Sequence, residues 1–225
     1  MRARPIVAID GPSGVGKSTV ARRLSASLDF SYVDTGALYR TVAWLADKHD
    51  VDWSTGSELA DIAGKHELSF DSDGNLSVDG EPIGDRIRTP RISRGASAVA
   101  RHPEVRGALL SLQRQLGEAG GVVLEGRDIG TVVFADAEIK FFLNASVAVR
   151  ARRRFLELEA RGEKITLEEV EQEQARRDET DRNRAVSPLR QAEDAVEIMC
   201  DEMTVDEVVE TMVQYIHTRF PLTSK

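Results

Sequence analysis

Residues 5–19 read Pro-Ile-Val-Ala-Ile-Asp-Gly-Pro-Ser-Gly-Val-Gly-Lys-Ser-Thr, and no other stretch constrains the fold as much. The apolar run bounded by Pro5 and Gly11 reads as a short buried strand. Lys17 to Leu28 reads as a helix, with Val20, Ala21, Leu24 and Leu28 along one face. Between them, Gly11, Gly16, Lys17 and Ser18 match the pattern Gly-x-x-x-x-Gly-Lys-[Ser/Thr]. A strand, a glycine loop and a helix N-terminus in this order make a phosphate cradle. The glycines let backbone N–H groups turn inward around the anion, and the positive end of the helix faces it. Lys17 would reach the β- and γ-phosphates, and Ser18 would ligate Mg2+. By itself the loop implies nucleotide binding through Gly11, Pro12, Ser13, Gly14, Val15, Gly16, Lys17, Ser18 and Thr19, without naming a reaction. The plainer alternative is an ordinary glycine-rich turn.

Downstream, strand and helix patterns alternate. Ser31–Val33, Val122–Glu125, Glu138–Leu143 and Ala195–Cys200 read as further core strands. Helical patterns run over Gly36–Lys48, over Ile92–Gly117 with a break at His102-Pro103, and over Ser146–Arg161, Leu167–Arg184 and Thr204 onward. Thr204 and Glu207 have capping-box spacing. One stretch differs: residues 66–83 hold short alternating segments and two Asp-Gly turns, Asp73-Gly74 and Asp79-Gly80, the signature of a small antiparallel hairpin or meander. The expected fold is therefore α/β: a phosphate-loop NTPase core with a parallel sheet flanked by helices, an inserted lobe with a small antiparallel sheet, and a helical lid. The expected division is core 1–35, 92–148 and 185–225, lobe 36–91, and arginine-rich lid 149–184.

The chain has 225 residues, a formal net charge of −8 and one cysteine, Cys200. One cysteine forms no intrachain disulfide and suits a reducing, cytoplasmic setting. No apolar run is long enough for a membrane helix, and the N-terminal run is too short for a signal peptide. An acidic chain without aromatic interleaving argues against a nucleic-acid binder. Its arginines nevertheless concentrate at 150, 152, 153, 154, 161, 176, 177, 182, 184 and 190. That pattern suits a small anionic ligand, or equally a solvated helix face. Two further stretches follow core strands, where open α/β sheets place ligands. In Asp34-Thr35-Gly36-Ala37-Leu38-Tyr39-Arg40, Thr35 and Arg40 either grip a phosphate or form a helix cap beside a surface arginine. In Gly126-Arg127-Asp128-Ile129-Gly130-Thr131, Arg127 and Asp128 either read a phosphate and an exocyclic amine or make a local ion pair.

The rivals separate on sequence. A GTPase switch wants Asn-Lys-x-Asp, yet Asn183 precedes Arg184. A mechanical ATPase wants a Walker-B aspartate, whereas the third strand ends Glu125-Gly126-Arg127-Asp128. A shikimate kinase would lack the hairpin lobe. A non-catalytic ATP switch would release no ADP in response to an acceptor.

GPSGVGKST, DTGALYR, EGRDIGTVVF and RRDETDRNRAVSPL, in this order and spacing, resemble bacterial cytidylate kinase, from about Ile6 to Phe220. The resemblance implies transfer of a phosphoryl group from ATP to CMP or dCMP, with Mg2+. It implies that Thr35, Arg40, Arg127 and Arg184 hold the acceptor phosphate. Ser97, Arg106 and Asp128 would read cytosine, and Arg177 and Asp181 would lie near the sugar. Lys17, Arg127 and Arg184 are the implied catalytic residues. The sequence departs from the family pattern at Ser18, where many relatives carry a small residue such as glycine, and at Glu125, where they carry aspartate. An acceptor phosphate is already an anionic nucleophile, so no strong general base is needed. His49, His66, His102 and His217 are accordingly expected at the surface or in packing roles. Lid closure is expected to bring Arg150, Arg154, Arg177 or Arg184 to the phosphates and to exclude water. One site complete within one chain suggests a monomer.

Overall fold

The computed structural model describes residues 2–71 and 73–220. The tail 221–225, the end of the expected core, lies outside the described residues.

β1 (Ile6–Asp10), β2 (Ser31–Asp34), β6 (Val122–Gly126), β7 (Ile139–Asn144) and β8 (Val196–Met199) form one parallel sheet in the order β2-β6-β1-β7-β8. Side chains alternate across it, as strand geometry requires. Val7 and Ile9 face α1 (Lys17–Leu28) and α8 (Val205–Arg219), packing with Leu24, Val208, Met212 and Ile216. Ile6 and Ala8 face the other way, onto Val33, Leu124, Val133 and Phe134. The expected capping box of Thr204 and Glu207 opens α8. Because all five strands run the same way, Asp10, Asp34 and Glu125 end at one edge of the sheet, with Asp10 beside Gly126 and Asp34 beside Glu125.

The small sheet is a meander, β3 (Leu68–Phe70), β4 (Leu76–Val78) and β5 (Glu81–Pro82). Asp79 and Gly80 both take positive φ, 52° and 81°, the twist a two-residue hairpin turn needs. Leu68, Leu76 and Val78 share an apolar cluster with α2 (Thr35–Lys48), α3 (Gly56–Lys65), α4 (Pro90–Val99) and α5 (Pro103–Gly117). Three details differ from the sequence reading. α3 was not expected. The helical stretch expected over 92–117 is broken before Pro103, as expected, but it begins earlier, at Pro90, because Thr89 caps α4 by accepting from the Ile92 N–H at 3.2 Å. A π-helical turn, Ile129–Val133, follows β6. α6 (Val147–Ala160) and α7 (Leu167–Asn183) pair through a small cluster of Ala151, Leu158 and Val170.

Candidate active site

The loop after β1 has the geometry of a cradle. Gly11 takes φ +149°, and a Cβ there would lie 2.2 Å from the Leu143 carbonyl oxygen, so the position admits only glycine. Gly16, at φ +101°, is the N-cap of α1, and no side chain caps that helix end. The first N–H groups of α1 are thus left open toward the loop, at the positive pole of the helix. Lys17 is buried and donates to the carbonyls of Gly11 at 2.8 Å and Pro12 at 2.7 Å. Burial, with the Arg127 guanidinium adding to it, holds the Lys17 ammonium well below its ordinary pKa. A phosphate anion would supply the charge it lacks. Ser18 and Thr19 stand exposed in the first turn.

The acceptor-side residues grow from the ends of β2 and β6. The cap of α2 is Asp34, not Thr35: its carboxylate accepts from the Ala37 N–H at 3.1 Å and from Arg40 Nη2 at 2.7 Å. Burial pushes the Asp34 carboxyl up, but Arg40 outweighs it and the pKa sits below the usual value. Thr35 Oγ1 instead donates to the Glu125 carbonyl at 2.7 Å. The Glu125 carboxylate accepts from the Tyr32 hydroxyl at 2.5 Å. Burial and the neighbouring Asp34 raise its pKa, opposed by Lys17 and by hydrogen bonds from Ser18 and Tyr32. Asp10 holds the next turn, accepting from the Ile129 and Gly130 N–H groups, both at 2.8 Å.

Arg127 Nε donates to Asp181 of α7 at 2.9 Å. Asp181 is pushed up by burial, yet Arg127 and Arg177 together hold it low. Asp128 is ion-paired with Arg106, and Arg184 Nη2 approaches its other oxygen at 3.7 Å. Arg106 also lies over the Tyr39 ring.

One cavity of about 870 Å³ collects nearly every site residue named from sequence. Ser13, Gly14, Val15, Gly16, Lys17, Ser18 and Thr19 line one end. Thr35, Arg40, Ser97, Arg106, Arg127, Asp128, Arg177, Asp181 and Arg184 line it as well. Gly11 and Pro12, at the start of the loop, do not line the cavity; their carbonyls receive Lys17. Arg154 lines the cavity; Arg150 does not, because its guanidinium is committed to Asp178 and to carbonyls behind the loop. Arg88 and Arg94, not singled out in the sequence, line it too, as does Arg153. No histidine among the described residues does.

Three nitrogens, Arg40 Nε, Arg177 Nε and Arg184 Nη2, are buried without a hydrogen-bond partner. Burial and the nearby Arg127 bring Arg177 down to about 10. Unpaired buried donors are costly. Several of them converging on one cavity call for an anion with many acceptor oxygens, and a phosphate group is such an anion.

The cytidylate kinase family pattern matches residues 7–218. A bifunctional pantoate ligase/cytidylate kinase of Prochlorococcus marinus is 46% identical over 98% of this chain, but the chain spans only 45% of that protein's length. A cytidylate kinase of Geobacter sulfurreducens is also 46% identical, over 95% of this chain and 93% of its own. A shikimate kinase of Acinetobacter baumannii solved with shikimate is 15% identical, with a TM-score of 0.51 over 97% of this chain and 96% of its own, a likeness of fold. With a family match running from β1 to the end of α8 and relatives at this identity, the chain belongs to the cytidylate kinase family.

Proposed function

We propose that this chain transfers the γ-phosphoryl group of ATP to CMP or dCMP, giving ADP and CDP or dCDP. The observation that carries this reading is the placement of Asp128. It lies between two arginines in the same cavity whose far end is the phosphate loop. A carboxylate there accepts from the 4-amino group of cytosine and repels the carbonyl that uracil has instead.

The residues divide the labour as follows. The loop and Lys17 hold the donor phosphates. Arg40, Arg127 and Arg184, with Thr35, hold the acceptor phosphate. Ser97, Arg106 and Asp128 read the base, and Arg177 and Asp181 sit toward the sugar. The obstacle is mutual repulsion of two polyanions, and Lys17, Arg127 and Arg184 offset it as the charges come into line. Nothing in this chemistry requires a general base.

The site suits Mg2+. The Ser18 hydroxyl and the Glu125 carboxylate are hard oxygen donors, and Mg2+ typically takes one or two protein ligands and completes its shell with phosphates and water. When bound, it would neutralise β- and γ-phosphate charge. Residues 36–91 serve as the acceptor lobe, 149–184 as the lid, and the remainder as core. A monomer acting in the cytoplasm, without nucleic-acid partners, completes the reading; no helix among the described residues is long and apolar enough to cross a membrane.

Calorimetric titration tests the base assignment. CMP and dCMP should bind saturably and UMP at least tenfold more weakly. Equal affinity for UMP would remove Asp128 as the reader.

A further inference from the structure

Two arginines of α6 hold carbonyls of the loop: Arg150 from beneath it, and Arg153, which also lines the cavity. Arg150 is 1% exposed. Its Nε donates to the Ala145 carbonyl at 2.9 Å, and Nη1 to the Ser13 carbonyl at 2.9 Å. The same fork meets Asp178 of α7 twice, at 3.2 and 2.5 Å. One turn further along α6, Arg153 donates to the Val15 carbonyl at 3.3 Å and to the Cys200 carbonyl at 2.7 Å. So alternate carbonyls of the loop, Ser13 and Val15, are each held by an arginine of one helix.

This has a geometric consequence. The described backbone has no cis peptide. In a trans peptide the carbonyl and the following N–H point in opposite directions. With the Ser13 carbonyl fixed on Arg150, the Gly14 N–H points away from α6. With the Val15 carbonyl fixed on Arg153, the Gly16 N–H does the same. Both glycines line the cavity. Peptides next to glycine are the easiest to turn over, because no Cβ opposes it. A turned peptide would present a carbonyl oxygen where a phosphate needs a donor.

We propose that Arg150 and Arg153 are positioning residues that lock the Ser13–Gly14 and Val15–Gly16 peptide planes, keeping both amides turned toward the nucleotide phosphates. Asp178 ties this orientation to the lid helix. Gln174, one turn before it, stands so close over Gly14 that a Cβ there would meet its Nε2 at 3.1 Å. The buried stripe of α7, Val170, Gln174, Asp178 and Asp181, is thus largely polar, and it is seated on the phosphate loop and on Arg127. Lysine cannot replace Arg150, since one ammonium does not span a carboxylate and two carbonyls in a planar fork.

The proposal rests on the loop being the ATP site, and the test separates the two. ADP without Mg2+, and CMP, are titrated calorimetrically into the wild-type chain, Arg150→Lys and Arg153→Gln. Amide shifts of 15N-labelled glycines are followed in parallel. The expected result is ADP binding weakened roughly tenfold in Arg150→Lys, the scale of one lost hydrogen bond. CMP binding should stay within about twofold, and the Gly14 resonance should be displaced before any ligand is added. Arg153→Gln should act in the same direction on Gly16. Should Arg150→Lys not fold, the partly exposed Arg153 decides alone. Unchanged ADP affinity in the folded variants, or an equal loss for CMP, overturns the proposal. A wild-type chain that binds no ADP overturns the ATP-site reading itself.

Discussion

Arg127, on the turn after β6, donates to Asp181, on α7, at 2.9 Å across 54 positions of chain. This ion pair joins the end of β6 to α7 at the point where the acceptor phosphate is expected. Asp181→Asn keeps the shape but removes the charge that orients Arg127. A charge-assisted hydrogen bond of this kind contributes about 1.5–3 kcal/mol, so kcat should fall roughly ten- to a hundredfold. Steady-state kinetics on a variant of unchanged circular dichroism checks it; an undiminished kcat would mean Arg127 needs no such support.

Asp128 accepts from Arg106 while Arg184 stands near its second oxygen. In Asp128→Asn the amide donates where the carboxylate only accepted, so cytosine's amine loses its partner and uracil's carbonyl gains one. The ratio of kcat/KM for CMP to that for UMP should shrink by about tenfold or more. An unchanged ratio would remove Asp128 from base selection.

Asp10 should mark the pH dependence of stability. Burial raises its carboxyl from 3.8 to about 6, against the two N–H groups and Lys17 that favour the anion. A group with a raised folded pKa contributes stability that is full below its unfolded pKa and is lost as pH rises through the folded one. The window therefore lies between about pH 4 and 6, and about two units correspond to about 3 kcal/mol. Asp10→Asn does not titrate. Its destabilisation relative to wild type should be larger at pH 4 than at pH 7.5, by up to that amount, in urea unfolding at the two pH values. The opposite order would show that Asp10 is not the buried acid described.

Ser18 bears on the metal. Ser18→Ala removes a hydroxyl from beside Glu125 while leaving the loop backbone intact. The Mg2+ concentration for half-maximal rate should rise several-fold with little change in the KM for CMP. A KM for CMP that rises equally would point to general damage of the loop.

How much of this was legible in the sequence depended on how local the causes were. The first core strand announced itself as an apolar run between Pro5 and Gly11, and the loop as spaced glycines before a lysine and a hydroxyl. α3 was hidden because Gly56 and Gly64 argue against a helix. Burial of Leu59, Ile62 and Ala63 in the apolar cluster shared with α2, α4 and α5 overrides that propensity. Asp10 reads as a strand end, since its partners Ile129 and Gly130 lie 119 and 120 positions away. The arginine cluster was visible, but not its sorting. Arg154 and Arg177 line the cavity, whereas Arg150 lies beneath the loop on Asp178, and only the packing of α6 against α7 separates them.

The most direct measurement is ADP release from Mg-ATP with CMP, dCMP, UMP, AMP, GMP and shikimate offered one at a time. Rapid turnover with CMP and dCMP and little with the others is the predicted result. ATP binding without acceptor-dependent ADP release, or a preference for any other acceptor, would contradict the account.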